Sequence, residues 1–111
     1  NESSRKWLGI VPATVNEGCL QDVHWAGASL GYFPTYTIGN LYAAQLAETY
    51  AARADLDAEL ASGNLRPLRD WLADHVYRWG CRLEAEEIIR RATGRGLDAD
   101  AFFRHLAAKF S

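Results

Sequence analysis

The chain has 111 residues, 49% of them apolar and 23% charged, with a formal net charge of −2. That is enough apolar matter for one packed domain, and a balance this close to neutral gives no electrostatic case for nucleic acid or an anionic membrane surface as partner. No apolar run approaches the roughly 20 residues of a membrane helix, and no signal peptide is visible, which points to a cytoplasmic protein.

The chain opens at Asn1 and has no methionine, so it reads as a piece of a longer product. Its two cysteines, Cys19 and Cys81, with no secretory signal beside them, read as free thiols rather than a bridge. Residues 1–17 hold a short apolar patch, Trp7 to Val11, stopped by Pro12. Residues 18–37 carry Gly18, Gly27, Gly31 and Pro34 among aromatics and almost no charge. Ordinary surface loops are polar, so this one is expected to be buried or to line a cleft. From Ile38 to about Ala61, apolar residues return at three- and four-residue steps among alanines, which predicts a helix. It ends at Ser62-Gly63-Asn64, with Gly63 as a left-handed cap. A second helix is expected over 67–79, with Trp71 and Trp79 in its apolar stripe and Pro67 in its first turn. A third covers roughly 84–92, with acids at its start and arginines at its end, as the helix dipole favours. The last is expected over 99–110, capped by Asp98, with Phe102, Phe103 and Leu106 as its apolar residues. Tyr42 and Tyr50 fall on the first helical stripe and read as core. With no strand alternation, the reading is all-α with one structured aromatic, glycine-rich loop. It divides into an N-terminal segment and loop at 1–37 and supporting helices at 38–111.

Candidate chemistry concentrates in the loop. Asp22 and His24 lie two apart, so the carboxylate can fix the imidazole tautomer. Tyr32 and Tyr36 lie four apart, and one helical turn would align their phenols. A histidine with one or two phenols suits a developing oxyanion. The same Gln21-Asp22-x-His24-Trp25 stretch is equally consistent with a polar network that only shapes the loop. His75 and His105 have no ligand-spaced neighbours and read as ordinary helix histidines. The sequence holds no His-Glu-x-x-His pair, no phosphate-binding loop and no Gly-x-Ser-x-Gly elbow, so no metal site or serine nucleophile is expected within it.

The run Gly18-x-x-Gln21-Asp22-x-His24-Trp25 resembles a motif of the Taq-type thermostable metallocarboxypeptidases. Gly31-Tyr32-Phe33-Pro34-Thr35-Tyr36 and Gly39-Asn40-Leu41-Tyr42-Ala43-Ala44-Gln45 look like the segment that follows it in that family, and Trp7-Leu8-Gly9-Ile10 like the approach to it. The resemblance implies the C-terminal part of a longer helical enzyme that removes single residues from peptide C-termini with a divalent metal, zinc or cobalt. That metal would be held by a His-Glu-x-x-His segment preceding this one, with no metal bound here. It also implies a peptide substrate, the rest of the parent chain and a homodimer mate as partners. By analogy with related helical zinc peptidases, His24 would bind the substrate backbone and Tyr32 would stabilise the oxyanion, with Tyr36 as the substitute. Asp22 would orient His24, while Gln21 and Trp25 would complete the substrate wall. On its own the piece is expected to be inactive and to associate through an uncovered apolar face. The alternative is a non-enzymatic helical module whose aromatic loop binds a partner peptide.

Overall fold

The computed structural model describes residues 2–111, and all regular structure among them is helical. The chain clusters into two compact units, one ending at Thr35 and the other running from Tyr36 to Ser111.

The first unit begins with α1 (Glu2–Leu8), which stops at Gly9. A 3-10 turn over Val15–Glu17 follows. It is fixed by a reciprocal Thr-x-x-Glu arrangement: Thr14 Oγ1 accepts from the Glu17 N–H at 3.3 Å, and the Glu17 carboxylate accepts from the Ala13 N–H at 3.2 Å. The Glu17 N–H is thereby shared between the Thr14 hydroxyl and the Thr14 carbonyl, and the Glu17 carboxylate reaches back to the backbone just before the turn. Gly18 connects this turn to a second one, Cys19–Gln21. A Cβ at Gly18 would lie 3.2 Å from Pro12 Cγ, so the close approach of the chain to Pro12 explains the glycine. The short helix α2 (Val23–Ala26) comes next. None of the described residues up to Thr35 is fully buried. Within this chain Leu20, Trp25, Leu30, Tyr32 and Phe33 are exposed, so its own residues do not bury the loop. A unit of this length is held by turns and caps and has too little mass to enclose its own aromatics.

The second unit is built on α3 (Pro34–Ala51), whose first residues precede the unit boundary. It starts four residues before the expected Ile38, because proline is at home in a first helical turn and Thr35 closes that turn through both its N–H and its Oγ1 onto the Tyr32 carbonyl, at 2.9 and 2.7 Å. The single long helix expected to Ala61 is two helices. Asp55 interrupts it and caps α4 (Leu56–Ser62), accepting from the Ala58 N–H at 3.0 Å. The alanines on both sides conceal that break in the sequence. Gly63 ends α4 in the left-handed conformation expected of it, at φ 72°. α5 (Arg66–His75) is shorter than the expected helix to Trp79; from Tyr77 to Arg82 the chain makes 3-10 turns broken by a kink at Gly80, at φ 53°. α6 (Ala85–Thr93) and α7 (Asp100–Phe110) lie where expected. The Asp98 carboxylate accepts from the Asp100 N–H at 2.9 Å, so it does hold the start of α7, one residue before the Ala99 cap position.

The core of this unit is small. Tyr50 of α3, Trp71 of α5, Ile89 of α6 and Ala101 of α7 are buried. Tyr50 and Trp71 pack with ring centroids 5.5 Å apart, and Trp71 stacks on His75 at 4.7 Å. Burial first, and then the Glu59 carboxylate, raises the Tyr50 phenol above its ordinary pKa. It therefore stays a donor to Glu59 at 2.9 Å, tying α4 to α3. Gln45 is fully enclosed at 0% exposure. Its Nε2 donates to the Gly96 carbonyl and its Oε1 accepts from the Asp98 N–H, both at 2.9 Å, so one α3 side chain holds the α6–α7 loop. Two core expectations change. Tyr42 and Trp79 are half-buried, Trp79 beneath the guanidinium groups of Arg78 and Arg91. Phe103 is exposed, because two residues beyond the buried Ala101 is about 200° around the helix.

Candidate active site

The site forms around α2 by local hydrogen bonding. Asp22 precedes that helix in an extended conformation, as a cap must. Its Oδ1 accepts from the His24 backbone N–H at 2.8 Å and meets the His24 Nδ1 at 2.7 Å. A carboxylate can only accept, so Nδ1 carries the proton, which fixes the tautomer of the neutral ring. The backbone N–H of His24, followed by its ring, lowers the Asp22 pKa, with partial desolvation opposing. Asp22 is therefore a carboxylate throughout the neutral range. Both side chains are half-buried, His24 at 19% and Asp22 at 27% side-chain exposure.

The carboxyl end of α2 fixes the same residue from the other side. Ser29 N–H donates to the His24 carbonyl at 2.8 Å, and Ala28 N–H donates to the Trp25 carbonyl at 3.1 Å. This paired pattern ends a helix in a left-handed residue, usually glycine. Here that residue is Ala28, at φ 59°. The chain then turns twice more, Tyr32 N–H donating to the Ser29 carbonyl at 3.3 Å and Thr35 N–H to the Tyr32 carbonyl at 2.9 Å. These three linked turns return the aromatic pair to the imidazole. Tyr32 stacks on His24 with centroids 5.7 Å apart and planes at 24°; Phe33 meets it nearly at right angles, 5.4 Å away at 81°.

The structure thus joins Asp22, His24 and Tyr32. Gln21 donates through Nε2 to the Asn16 carbonyl, linking the two 3-10 turns. Trp25 lies on α2 but is 69% exposed. Tyr36 belongs to α3 in the other unit. No helical turn aligns Tyr32 with Tyr36, because α3 begins at Pro34, after Tyr32. Sequence reasoning did not single out Phe33, Ala28 or Ser29. The signal available for Phe33 was a large aromatic directly before Pro34, where the preceding residue is driven out of helical conformation and its side chain held at the turn.

Among the described residues, no three His, Cys, Asp or Glu side chains converge where they could hold a metal ion. Asp22 and His24 are two donors already engaged with each other. Cys19 and Cys81 are free, exposed thiols, and no helix among the described residues is long and apolar enough to cross a membrane.

Among the described residues the chain is all-α, and its aspartate-oriented histidine packs against two aromatic rings. Residues 1–110 match the family model described as carboxypeptidase Taq (M32) metallopeptidase, and the chain belongs to that family. It is 39% identical over 113 residues to thermostable carboxypeptidase 1 of Pyrococcus furiosus, with 99% of this chain and 22% of that protein covered. To carboxypeptidase 1 of Bacillus subtilis it is 41% identical over 112 residues, covering 100% of this chain and 22% of that protein. Two solved structures superpose closely. One titled "BsuCP Crystal Structure" has a TM-score of 0.90 at 41% identity, covering 98% of this chain and 22% of that one. One titled "The Structure of CHT" has a TM-score of 0.91 at 38% identity, covering 99% and 22%. The chain therefore spans about a fifth of the length of the relatives it matches.

Proposed function

We propose that this chain is the substrate-contacting wall of a metal-dependent carboxypeptidase that releases C-terminal residues from peptides. The observation that carries the reading is the Asp22–His24 pair, in which one carboxylate oxygen fixes both the backbone and the tautomer of the imidazole. With Nδ1 holding its proton toward Asp22, neutral His24 accepts a peptide N–H at Nε2, and protonated His24 donates to a peptide carbonyl. Tyr32, stacked on the same ring, supplies a phenolic donor for the oxyanion that develops on the attacked carbonyl. Tyr36 is the substitute candidate for that task, while Trp25 and Gln21 border the substrate.

Among the described residues no group of His, Cys, Asp or Glu could hold a metal ion, and the zinc or cobalt of the proposed enzyme enters no step assigned to this chain. When bound, such a metal supplies Lewis acidity and an activated water. A homodimer and a cytoplasmic setting belong to the same proposal, and the two exposed free thiols fit a reducing compartment. Membership in a metallopeptidase family favours this reading over a non-enzymatic peptide-binding module.

The test is carried out in the enzyme that contains this chain. Tyr32→Phe should lower turnover about a hundred- to a thousandfold, the usual consequence of deleting one oxyanion donor, with the helical circular-dichroism signal unchanged. Hydrolysis should stop with chelator and return with zinc or cobalt, and this chain alone should release no C-terminal residue. Wild-type turnover in Tyr32→Phe would remove Tyr32 from the mechanism and pass the role to Tyr36→Phe for the same measurement.

A further inference from the structure

We infer that the N-terminal half of α3 is a docking face, where a helix from the part of the enzyme outside these 111 residues crosses close over Gly39. The inference rests on one part of the proposed function, that this chain is a piece of a longer enzyme, and on no catalytic role.

Gly39 sits inside α3, away from both ends. A glycine there weakens a helix relative to alanine, so its presence needs a reason. Gly39 is not among the residues of positive φ, so the backbone does not demand it. Within the described residues of the second unit, nothing lies within 4 Å of where its Cβ would stand. Gly96, by contrast, is crowded by the Glu86 and Arg90 side chains. Alanine would fit at position 39 in this unit and would serve the helix better. The remaining use of glycine is to let a second backbone come close, and the second unit does not supply that backbone.

The surroundings suit a helix. Ala43 and Leu46 share the face of Gly39, one and two turns further on; Ala43 is exposed and Leu46 half-buried. Beside them opens a groove of about 290 Å³, lined by Asn40, Ala43, Ala44 and Ala47 of α3 and by Phe102 and His105 of α7. The distance between packed helices is set by the side chains at their contact, and here those side chains are absent or small. The occupant follows from what lies outside the chain. The relatives it matches are covered over only 22% of their length. The solved structures superpose on it at TM-scores of 0.90 and 0.91, yet it covers 22% of each. About four-fifths of such an enzyme therefore has still to pack against this piece, and helices pack on helices in a fold of this kind.

The experiment places Gly39→Ala in two settings, this chain alone at low concentration and the whole substrate-free enzyme that contains it, and melts both. In the chain alone the alanine should raise the melting temperature by about 4 °C, because the helix gains and nothing stands in the way of the methyl. In the enzyme the same methyl meets the crossing helix, overpacking outweighs the gain, and the midpoint should fall. Asn40→Cys gives a second readout that leaves Gly39 untouched. Alkylation at position 40, read by peptide mass, should be at least about tenfold slower in the enzyme than in the chain alone, since a covered thiol reacts only through local opening. A melting temperature that rises in both settings overturns the inference, and so does equal alkylation in both. A fall in the chain alone overturns it too, by locating the close approach within this chain. A fall in the enzyme together with dissociation of a dimer, seen by light scattering, would give the face to a second copy and overturn the choice of occupant. None of these readouts uses turnover, so an enzyme without carboxypeptidase activity would end the proposed function and leave this contact standing.

Discussion

Replacing Gln45 with leucine isolates the one fully enclosed polar side chain of the second unit. The apolar volume is nearly conserved, so no large cavity opens, and such swaps cost little by themselves. What disappears is a pair of hydrogen bonds of 2.9 Å, to the Gly96 carbonyl and from the Asp98 N–H. Each orphaned backbone group costs about 1–3 kcal/mol when water cannot replace the partner. Gly96 and Asp98 are half-buried rather than buried, so water reaches part of the loop. The expected loss is therefore about 2–4 kcal/mol, or about 4 °C of melting temperature per kcal/mol in a chain of this length. Gln45→Glu sharpens the test. Its carboxyl keeps the acceptor for Asp98 but presents an oxygen to the Gly96 carbonyl unless protonated. Burial and that carbonyl raise its folded-state pKa above the unfolded value. The variant's stability relative to wild type is thus best preserved below the unfolded carboxyl pKa and is lost as pH rises through the folded one. Urea titrations followed by circular dichroism at acid and neutral pH measure both effects. Gln45→Leu within about 0.5 kcal/mol of wild type, the usual range of surface changes, would refute the claim that this amide holds the α6–α7 loop.

Ala28→Gly should stabilise the chain by about 0.5–1 kcal/mol, read from its urea midpoint, because the left-handed φ of 59° strains an alanine and not a glycine. Glu48 is held below the ordinary carboxylate range chiefly by the Arg104 guanidinium, with desolvation opposing and Arg95 assisting. A depressed folded pKa gives stability that is present above the unfolded pKa and lost as pH falls through the folded value. The small advantage of wild type over Glu48→Gln should accordingly vanish in acid and also shrink in molar salt, as two titration series can show. With Trp7, Leu8, Ile10, Val15, Val23 and Trp25 all exposed, this chain by itself should associate; a single monomeric species by light scattering across a tenfold concentration range would contradict that.

Helix type was legible because it depends on residues close in sequence. The stripe through Tyr50, the Gly63 cap and the acid-to-base gradient of α6, where Glu86–Arg90 and Glu87–Arg91 pair at 2.9 and 2.8 Å, all act within one or two turns. What escaped was competition between equally local signals. Asp55 outweighs the alanines around it because its carboxylate satisfies an orphan N–H of α4. Pro34 and Thr35 start α3 despite β-branched neighbours, because together they close the turn onto Tyr32. The Asp22–His24 contact was legible for the same reason of proximity, two residues apart. The depth of the aromatic segment was not. Lack of charge pointed to burial or to a cleft lining; hydropathy says only that a surface prefers cover, and among the described residues of the first unit none is fully buried within this chain.

That difference bears on how the site is held. In the second unit, position follows from packing: Tyr50, Trp71, Ile89 and Ala101 lose their water together. In the first, position follows from a relay of backbone and cap hydrogen bonds running Asp22, His24, Ser29, Tyr32, Thr35. Directional bonds fix angles where non-directional burial fixes only proximity, and the Asp22–His24 pair is set by such bonds. The exposed aromatics do not weaken this arrangement, because Tyr32 and Phe33 are placed by the turns that carry them. Deleting apolar area at Trp25 should therefore leave the His24 ring where it is, whereas Asp22→Asn, which loses the charge of the acceptor, should release it. The order of those two effects in the His24 nitrogen spectrum separates a site built by hydrogen bonds from one built by burial.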